Sequence, residues 1–194
     1  MIRAQGFATP ETLVTTDPAA VGDFLARHGE LIYKSISGVH SIVTRLKPAH
    51  LERLADIAWC PTQFQQYVPS RDYRVHVIGE AVFVSEIVCE ADDYRYAGRQ
   101  GQAVALNAST LPTELEERCR ALAVSLGLAA AGIDLRLTPN GEWVCFEVNP
   151  APAFTYYESA TGQPIADAIA SVLSIGFVEA DCHEKGLFPA ASAG

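Results

Sequence analysis

The sequence predicts an α+β fold dominated by antiparallel sheet with flanking helices, and three observations carry that expectation. Strand-like runs are joined by tight-turn signals at Gly79-Glu80 and Asn140-Gly141, where glycine supplies the positive φ of a hairpin turn. Residues 18–28 and 112–126 place apolar side chains at helical spacing between capping signals. Apolar residues make up 49% of the 194, enough to bury a core in one unit with one or two lobes.

Along the chain, Thr12 to Thr16 reads as a short strand, and Asp17-Pro18 supplies an N-cap and first-turn proline for a helix stopped by Gly29. Leu31 to Lys34 follows as a strand. A small-residue loop, Ser35 to His40, leads into a third strand-like run, Ser41 to Leu46, and Pro48 opens a helix expected to reach Ile57. Thr62–Val68, Asp72–Ile78 and Ala81–Val88 read as strands, the last two as a hairpin. Residues 91–101 form a polar loop rich in Asp, Arg and Tyr. After the helix ending at Gly127 come strands at Ala131–Thr138 and Glu142–Val148, then a closing apolar helix, Gln163–Ile175.

Composition excludes several classes. With 14 Lys and Arg against 23 Asp and Glu, the formal net charge is -9, so no long-range field draws in a polyanion and nucleic acid is not an expected partner. The five cysteines (Cys60, Cys89, Cys119, Cys145, Cys182) contain no Cys-x-x-Cys pair, which fits reduced thiols in a cytoplasm. No secretory signal and no run of 18 apolar residues occurs, so the expectation is a cytoplasmic protein with no membrane partner.

The most informative local feature is the stretch from Ile133 to Asn149, centred on Asn140-Gly141. With those two residues as the loop, Asp134 falls opposite Glu147 and shares a face with Arg136, Cys145 and, further along, Asn149; Ile133, Leu135, Phe146 and Val148 take the other face. Two carboxylates about 4.5–5.5 Å apart at Cβ repel unless a positive group sits between them or one is protonated. Arg136 is one candidate for that group. A bound cation is another, and two carboxylates with an amide oxygen offer hard ligands suited to Mg²⁺ or Mn²⁺.

Asp-x-Arg at 134–136 followed by Glu-x-Asn-Pro at 147–150 resembles the metal-binding signature of ATP-grasp enzymes, which couple ATP hydrolysis to joining a carboxylate with an amine. Three further segments agree in order: Leu31-Ile32-Tyr33-Lys34 with its Ser/Gly loop, Gln65-Gln66-Tyr67-Val68, and Asp72-Tyr73-Arg74-Val75-His76-Val77. Residues 60–69 and Asp93-Tyr94-Arg95 are similar to the ribosomal-protein glutamate ligases (RimK-like) and the microviridin (graspetide) maturases. The resemblance runs from about Thr12 to Ile175. It implies two mainly antiparallel lobes with a nucleotide cleft between them: 1–68 as the N-terminal lobe, 69–178 as the C-terminal lobe, and 179–194 as a tail.

The same resemblance assigns roles. ATP contacts fall to Lys34, Ser35, Gly38, Gln66, Tyr67, Val68 and Asp72, the metal to Asp134, Glu147 and Asn149, substrate to Arg95, and catalysis to Arg74 and Arg136. Asp72 would hold ribose hydroxyls or orient Arg74. Arg74 would bind the γ-phosphate or an acyl phosphate, against the plainer reading of a surface ion pair with Asp72. Arg136 would touch phosphate or merely neutralise the acids. Gly38 is the one glycine in the 35–41 loop and Gln66 stands where an acid is frequent, both departures from the family pattern.

The implied chemistry is an ATP- and Mg²⁺-dependent ligation in which a carboxylate on a peptide or small acid becomes an acyl phosphate, open to an amine or hydroxyl. Family members carry a further α/β domain before the first matching strand, which here begins about eleven residues from Met1. The expectation is therefore a fragment, a partner chain supplying that surface, or a nucleotide-binding module without ligase activity. A metal-dependent hydrolase fits less well, because no histidine lies in register with the acids.

Overall fold

The computed structural model describes residues 1–37, 42–89, 94, 101 and 103–175. Gly38, His40, Arg95, most of the 91–101 loop and the 179–194 tail lie outside the described residues.

Two antiparallel sheets carry the fold. The first has the order β1-β4-β2-β3, with β1 at Thr12–Thr15, β2 at Leu31–Ser35, β3 at Thr44–Arg45 and β4 at Thr62–Gln66. Helix α1, Pro18–His28, starts where the Asp17 carboxylate accepts from the Ala19 N–H at 2.9 Å, and it ends at Gly29. Its Val21 and Phe24 pack on Leu31 and Phe64. Since opposed residues share a face, the register leaves Ile32, Lys34, Gln63 and Gln65 on the opposite side of this sheet.

The second sheet has the order β7-β6-β5-β8-β9: β5 Arg71–Ile78, β6 Ala81–Cys89, β7 Val104–Ser109, β8 Ala130–Leu137 and β9 Trp143–Asn149. One face presents Tyr73, Val75, Val77, Ile133 and Leu135 to helix α3 (Thr113–Ser125) through Leu115, Cys119 and Leu122, forming the largest core. On the other face, Ile78, Ile87 and Leu106 are covered by Tyr157 and Ile165 of helices α4 (Thr155–Thr161) and α5 (Ile165–Ile175). The uncovered remainder of that face is polar.

Several expectations are corrected. Among the described residues of the run 41–46, only the two of β3 pair. The helix from Pro48 stops at Leu51 (α2) and gives way to a 3₁₀ stretch, Leu54–Trp59. At three residues per turn, Leu54 and Ile57 stack in one row against the α1 core. Strand β7 and helix α4 were not expected. The Val-Ala-Leu-Asn-Ala-Ser composition of β7 is poor in β-branched residues, and it is held by its ladder to β6. Residues 1–8, placed with the first lobe on sequence, lie on the second sheet: Phe7 is in its core and Ala8 bridges to Val144.

The acid hairpin reaches the expected pairing by a different route. Thr138 and Gly141 N–H groups donate to the Glu142 and Thr138 carbonyls, each at 2.9 Å, so the loop is three residues, Pro139-Asn140-Gly141, with Gly141 at a φ of 82°. Leu135 therefore pairs with Cys145, and a β-bulge between Leu135 and Asp134 restores the alignment of Asp134 with Glu147. The longer loop sets Cys145 in the core opposite Leu135 and the bulge leaves Phe146 out of it, the reverse of the sequence expectation. Phe146 instead lies 4.4 Å beneath the Arg136 guanidinium.

Candidate active site

The polar end of the second sheet holds two rows of charge. In one, β5, β8 and β9 align Arg74, Asp134 and Glu147 as lateral neighbours. In the other, Asp72 stands beside Arg136. From the first sheet Lys34 reaches across, its Nζ 3.5 Å from Glu147 Oε2. Among the described residues each cation has one acid: Lys34 with Glu147, Arg74 with Asp134, and Arg136 with Asp72, Nε to Oδ1 at 2.8 Å.

This pairing corrects two alternatives. Arg74 is not in a surface pair with Asp72, because its side chain is 7% exposed and its guanidinium binds Asp134. Nor does Arg136 separate Asp134 from Glu147, since it turns to Asp72 and stacks on Phe146. Asp72 orients Arg136, not Arg74.

The acids are held in an unfavourable state. Burial pushes the Asp134 carboxyl up to about 6, the charge of Arg74 pulls the other way, and Glu147 adds to the rise. Burial also raises Asp72 above its usual range, with Arg136 opposing. Burial disfavours the charge of Arg74, but Asp134, Tyr157 and Tyr94 together outweigh it, so the charge is kept.

A divalent cation between Asp134 and Glu147 would remove the repulsion that raises Asp134, and all the donors there are hard oxygens. Asn149 sits two residues beyond Glu147 on the same strand, with its Oδ1 accepting from the Ala151 N–H at 2.9 Å, and an amide oxygen has a second lone pair for a cation. Among the described residues no cluster of three or more His, Cys, Asp or Glu side chains occurs. The set therefore fits a hard cation that also takes ligands from a bound anion.

The expected nucleotide contacts are spread along the first sheet and the connection to β5. Ser35 ends β2, opposite Thr62. Gln66 and Tyr67 N–H groups donate to the carbonyls of Glu11 and Glu30, which leaves the Tyr67 carbonyl and the Val68 N–H facing no other backbone group among the described residues. The Arg45 guanidinium lies 3.8 Å over the Tyr67 ring. A cavity of about 530 Å³ is lined by Arg3, Thr9, Pro10, Glu11, Thr12, Gln65 and Phe146, none of them an expected nucleotide contact.

Sequence reasoning missed the support under Arg74. Gly132 lies beside His76 and Asn149 in the next row of the sheet, and a Cβ on it would meet Pro152 Cβ at 2.6 Å and Arg74 Cζ at 3.1 Å. Glycine is required for close approach here, a need that its place inside a strand run hints at. His76 is fully buried, its Nε2 3.1 Å from the Ala153 carbonyl. Tyr157 lies edge-on to His76 at 4.9 Å and 5.5 Å from the Arg74 guanidinium.

Burial lowers the His76 imidazole to about 4, the Ala153 carbonyl opposes, and Arg74 adds to the fall. The unfolded chain binds this proton below about pH 6.5 and the folded protein only near 4, so the contribution of neutral His76 is present above pH 6.5 and is lost as pH falls through 4. Asp134, with a raised value, tilts the total the opposite way, so the test is a difference. The stability advantage of wild type over His76→Gln, from urea unfolding, is expected to shrink by about 3 kcal/mol between pH 7 and pH 4. A difference independent of pH would contradict the buried neutral imidazole.

A model of the RimK-like ATP-grasp domain matches residues 2–173. The chain is 34% identical over 130 residues to a probable alpha-L-glutamate ligase of Rhodopirellula baltica, covering 62% of this chain and 31% of that protein. It is 32% identical over 123 residues to beta-citrylglutamate synthase B of Danio rerio, covering 59% and 29%. Among solved structures, the ATP-grasp ligase PsnB, complexed with a phosphomimetic variant of its minimal precursor, Mg and ADP, superimposes with a TM-score of 0.74 at 27% identity, over 88% of this chain and 55% of that one. The macrocyclase MdnC of Microcystis aeruginosa, bound to its precursor peptide MdnA, shares the fold with a TM-score of 0.78 at 24% identity, over 90% and 58%. The chain thus spans under a third of those curated relatives and just over half of those solved structures. Among the described residues no helix is long and apolar enough to cross a membrane.

Proposed function

Because this chain belongs to the RimK-like ATP-grasp family, we propose that it acts as an ATP- and Mg²⁺-dependent ligase that activates a carboxylate, on a peptide or small acid, for attack by an amine or hydroxyl. The observation that carries the reading is the one-for-one pairing of Lys34, Arg74 and Arg136 with Glu147, Asp134 and Asp72 where the two sheets face each other. PsnB bound to Mg and ADP and the glutamate ligase relative support the same class.

Asp134, Glu147 and Asn149 would hold the metal, which neutralises phosphate charge when bound. With the acids so engaged, Lys34 and Arg74 lose their carboxylate partners and can turn to anionic oxygens. Lys34 then acts as a point charge on the phosphates, and Arg74 as a fork on the transferred phosphoryl group or the acyl phosphate. Arg136, held by Asp72 and Phe146, keeps a second guanidinium at the rim. The substrate carboxylate displaces ADP from the γ-phosphorus, and the nucleophile then attacks the acyl carbon, releasing phosphate and a proton. Such transfer depends on positioning and charge, which is what these residues supply. Gln66, Tyr67 and Val68 are proposed for the adenine edge, Ser35 and Gly38 for phosphate, and Arg95 for substrate.

The test is calorimetric titration with a non-hydrolysable ATP analogue, with and without Mg²⁺, followed by ADP release with ATP and candidate acids such as glutamate or acidic peptides. Metal-dependent binding and acid-dependent ADP release are expected. Binding that ignores Mg²⁺ would overturn the metal assignment, and ADP release that no acid stimulates would favour a binding module. In the same titration Lys34→Ala is expected to weaken the analogue about tenfold, and unchanged affinity would remove Lys34 from the phosphate site.

A further inference from the structure

We infer that His76 is a positioning residue for this site, acting in its Nε2–H form to pin the turn after Asn149 and, through that turn, the aim of Arg74. The inference rests on the metal and phosphate roles proposed above and adds a residue to which they assign nothing.

Four observations converge. His76 lies two residues from Arg74 on the same face of β5, and across the sheet it aligns with Gly132 and then Asn149. Its Nε2 contacts the Ala153 carbonyl at 3.1 Å; a carbonyl only accepts, so Nε2 carries the proton. The turn is thereby tied at two points, Ala151 N–H to Asn149 Oδ1 and Ala153 carbonyl to His76. Pro152, between those points, occupies the space over Gly132 that the Arg74 guanidinium shares.

Holding Ala153 therefore fixes both the backbone that carries Asn149 and the wall against which Arg74 rests. Among the described residues, two buried atoms here have no hydrogen-bond partner, Arg74 Nε and His76 Nδ1. The direction of the guanidinium is set by its ion pair with Asp134 and by packing against Pro152 and the Tyr157 ring. A hydrophobic residue at 76 would fill the space without holding the turn.

The experiment titrates a non-hydrolysable ATP analogue, in Mg²⁺ and in EDTA, into wild type, His76→Phe and His76→Gln. His76→Phe is expected to lose about 10- to 100-fold of the metal-dependent affinity, the range typical of residues that orient metal ligands, with binding in EDTA unchanged. His76→Gln, whose amide N–H can reach the same carbonyl, is expected to restore most of it. A merely structural histidine would move both titrations together. His76→Phe with the full metal-dependent gain, or His76→Gln as weak as His76→Phe, overturns the inference. Wild type without a metal-dependent gain instead removes the proposed site itself, and the inference with it. Should His76→Phe not fold, ¹⁵N NMR of wild type decides: the Nε2–H tautomer is expected, and the Nδ1–H tautomer overturns the assignment.

Discussion

Glu147→Gln is expected to abolish metal-dependent nucleotide binding and leave the fold intact. The substitution removes one of two opposed carboxylates and keeps the shape and hydrogen-bonding reach of the side chain. Its ion pair with Lys34 spans 3.5 Å and the Glu147 side chain is 49% exposed, so losing it costs at most about 1 kcal/mol. Relief of Asp134 offsets part of that, since Glu147 contributes to the raised Asp134 carboxyl. The melting temperature should therefore stay within a few degrees of wild type, while affinity for the analogue in Mg²⁺ falls by about 100-fold or more, roughly 2.7 kcal/mol. Calorimetry with a parallel thermal melt separates the two effects. Unchanged affinity in a folded variant would show that the acid pair does not hold the metal.

Arg74→Met has the largest expected effect on stability. It leaves Asp134, 30% exposed, without the guanidinium that keeps its charge tolerable, and removing one partner of such a pair costs about 3 kcal/mol or more at neutral pH. The sign with pH follows from Asp134. Without Arg74 its carboxyl rises further above 6, so the folded variant takes up a proton at higher pH, and the penalty shrinks as pH falls through that range. Urea unfolding at pH 7.5 and pH 5 should show a large deficit that narrows in acid, and adding Asp134→Asn should recover most of it at pH 7.5. A deficit indifferent to pH and to Asp134→Asn would mean that Arg74 stabilises by packing alone. Turnover should be lost in either background.

What was legible in the sequence was local. Asp17-Pro18 and Gly29 bracket α1, and Gly79 and Gly141 mark turns, because caps and tight turns depend on a few adjacent residues. Strand β7 was not legible, since its Ala, Asn and Ser have little preference of their own and the β6 ladder decides it. The acid hairpin shows both sides. Asp134 and Glu147 are partners as expected, yet a loop one residue longer and a bulge cancel each other, and the difference appears only in Cys145 and Phe146 exchanging faces.

The sequence by itself determined the residue types of the site, the strands that carry most of them and the family. Which cation holds which acid was decided only by the tertiary structure. Arg74, Asp72 and Arg136 are near one another in any plausible sheet, and the choice of Asp134 for Arg74 and Asp72 for Arg136 follows from the β5–β8 register and from Phe146 being turned outward by the bulge. The support from Gly132, Pro152 and His76 depends likewise on contacts between residues twenty or more positions apart. Such contacts leave no periodicity in the chain, because they arise from the close approach of backbones that pairing of the whole sheet imposes.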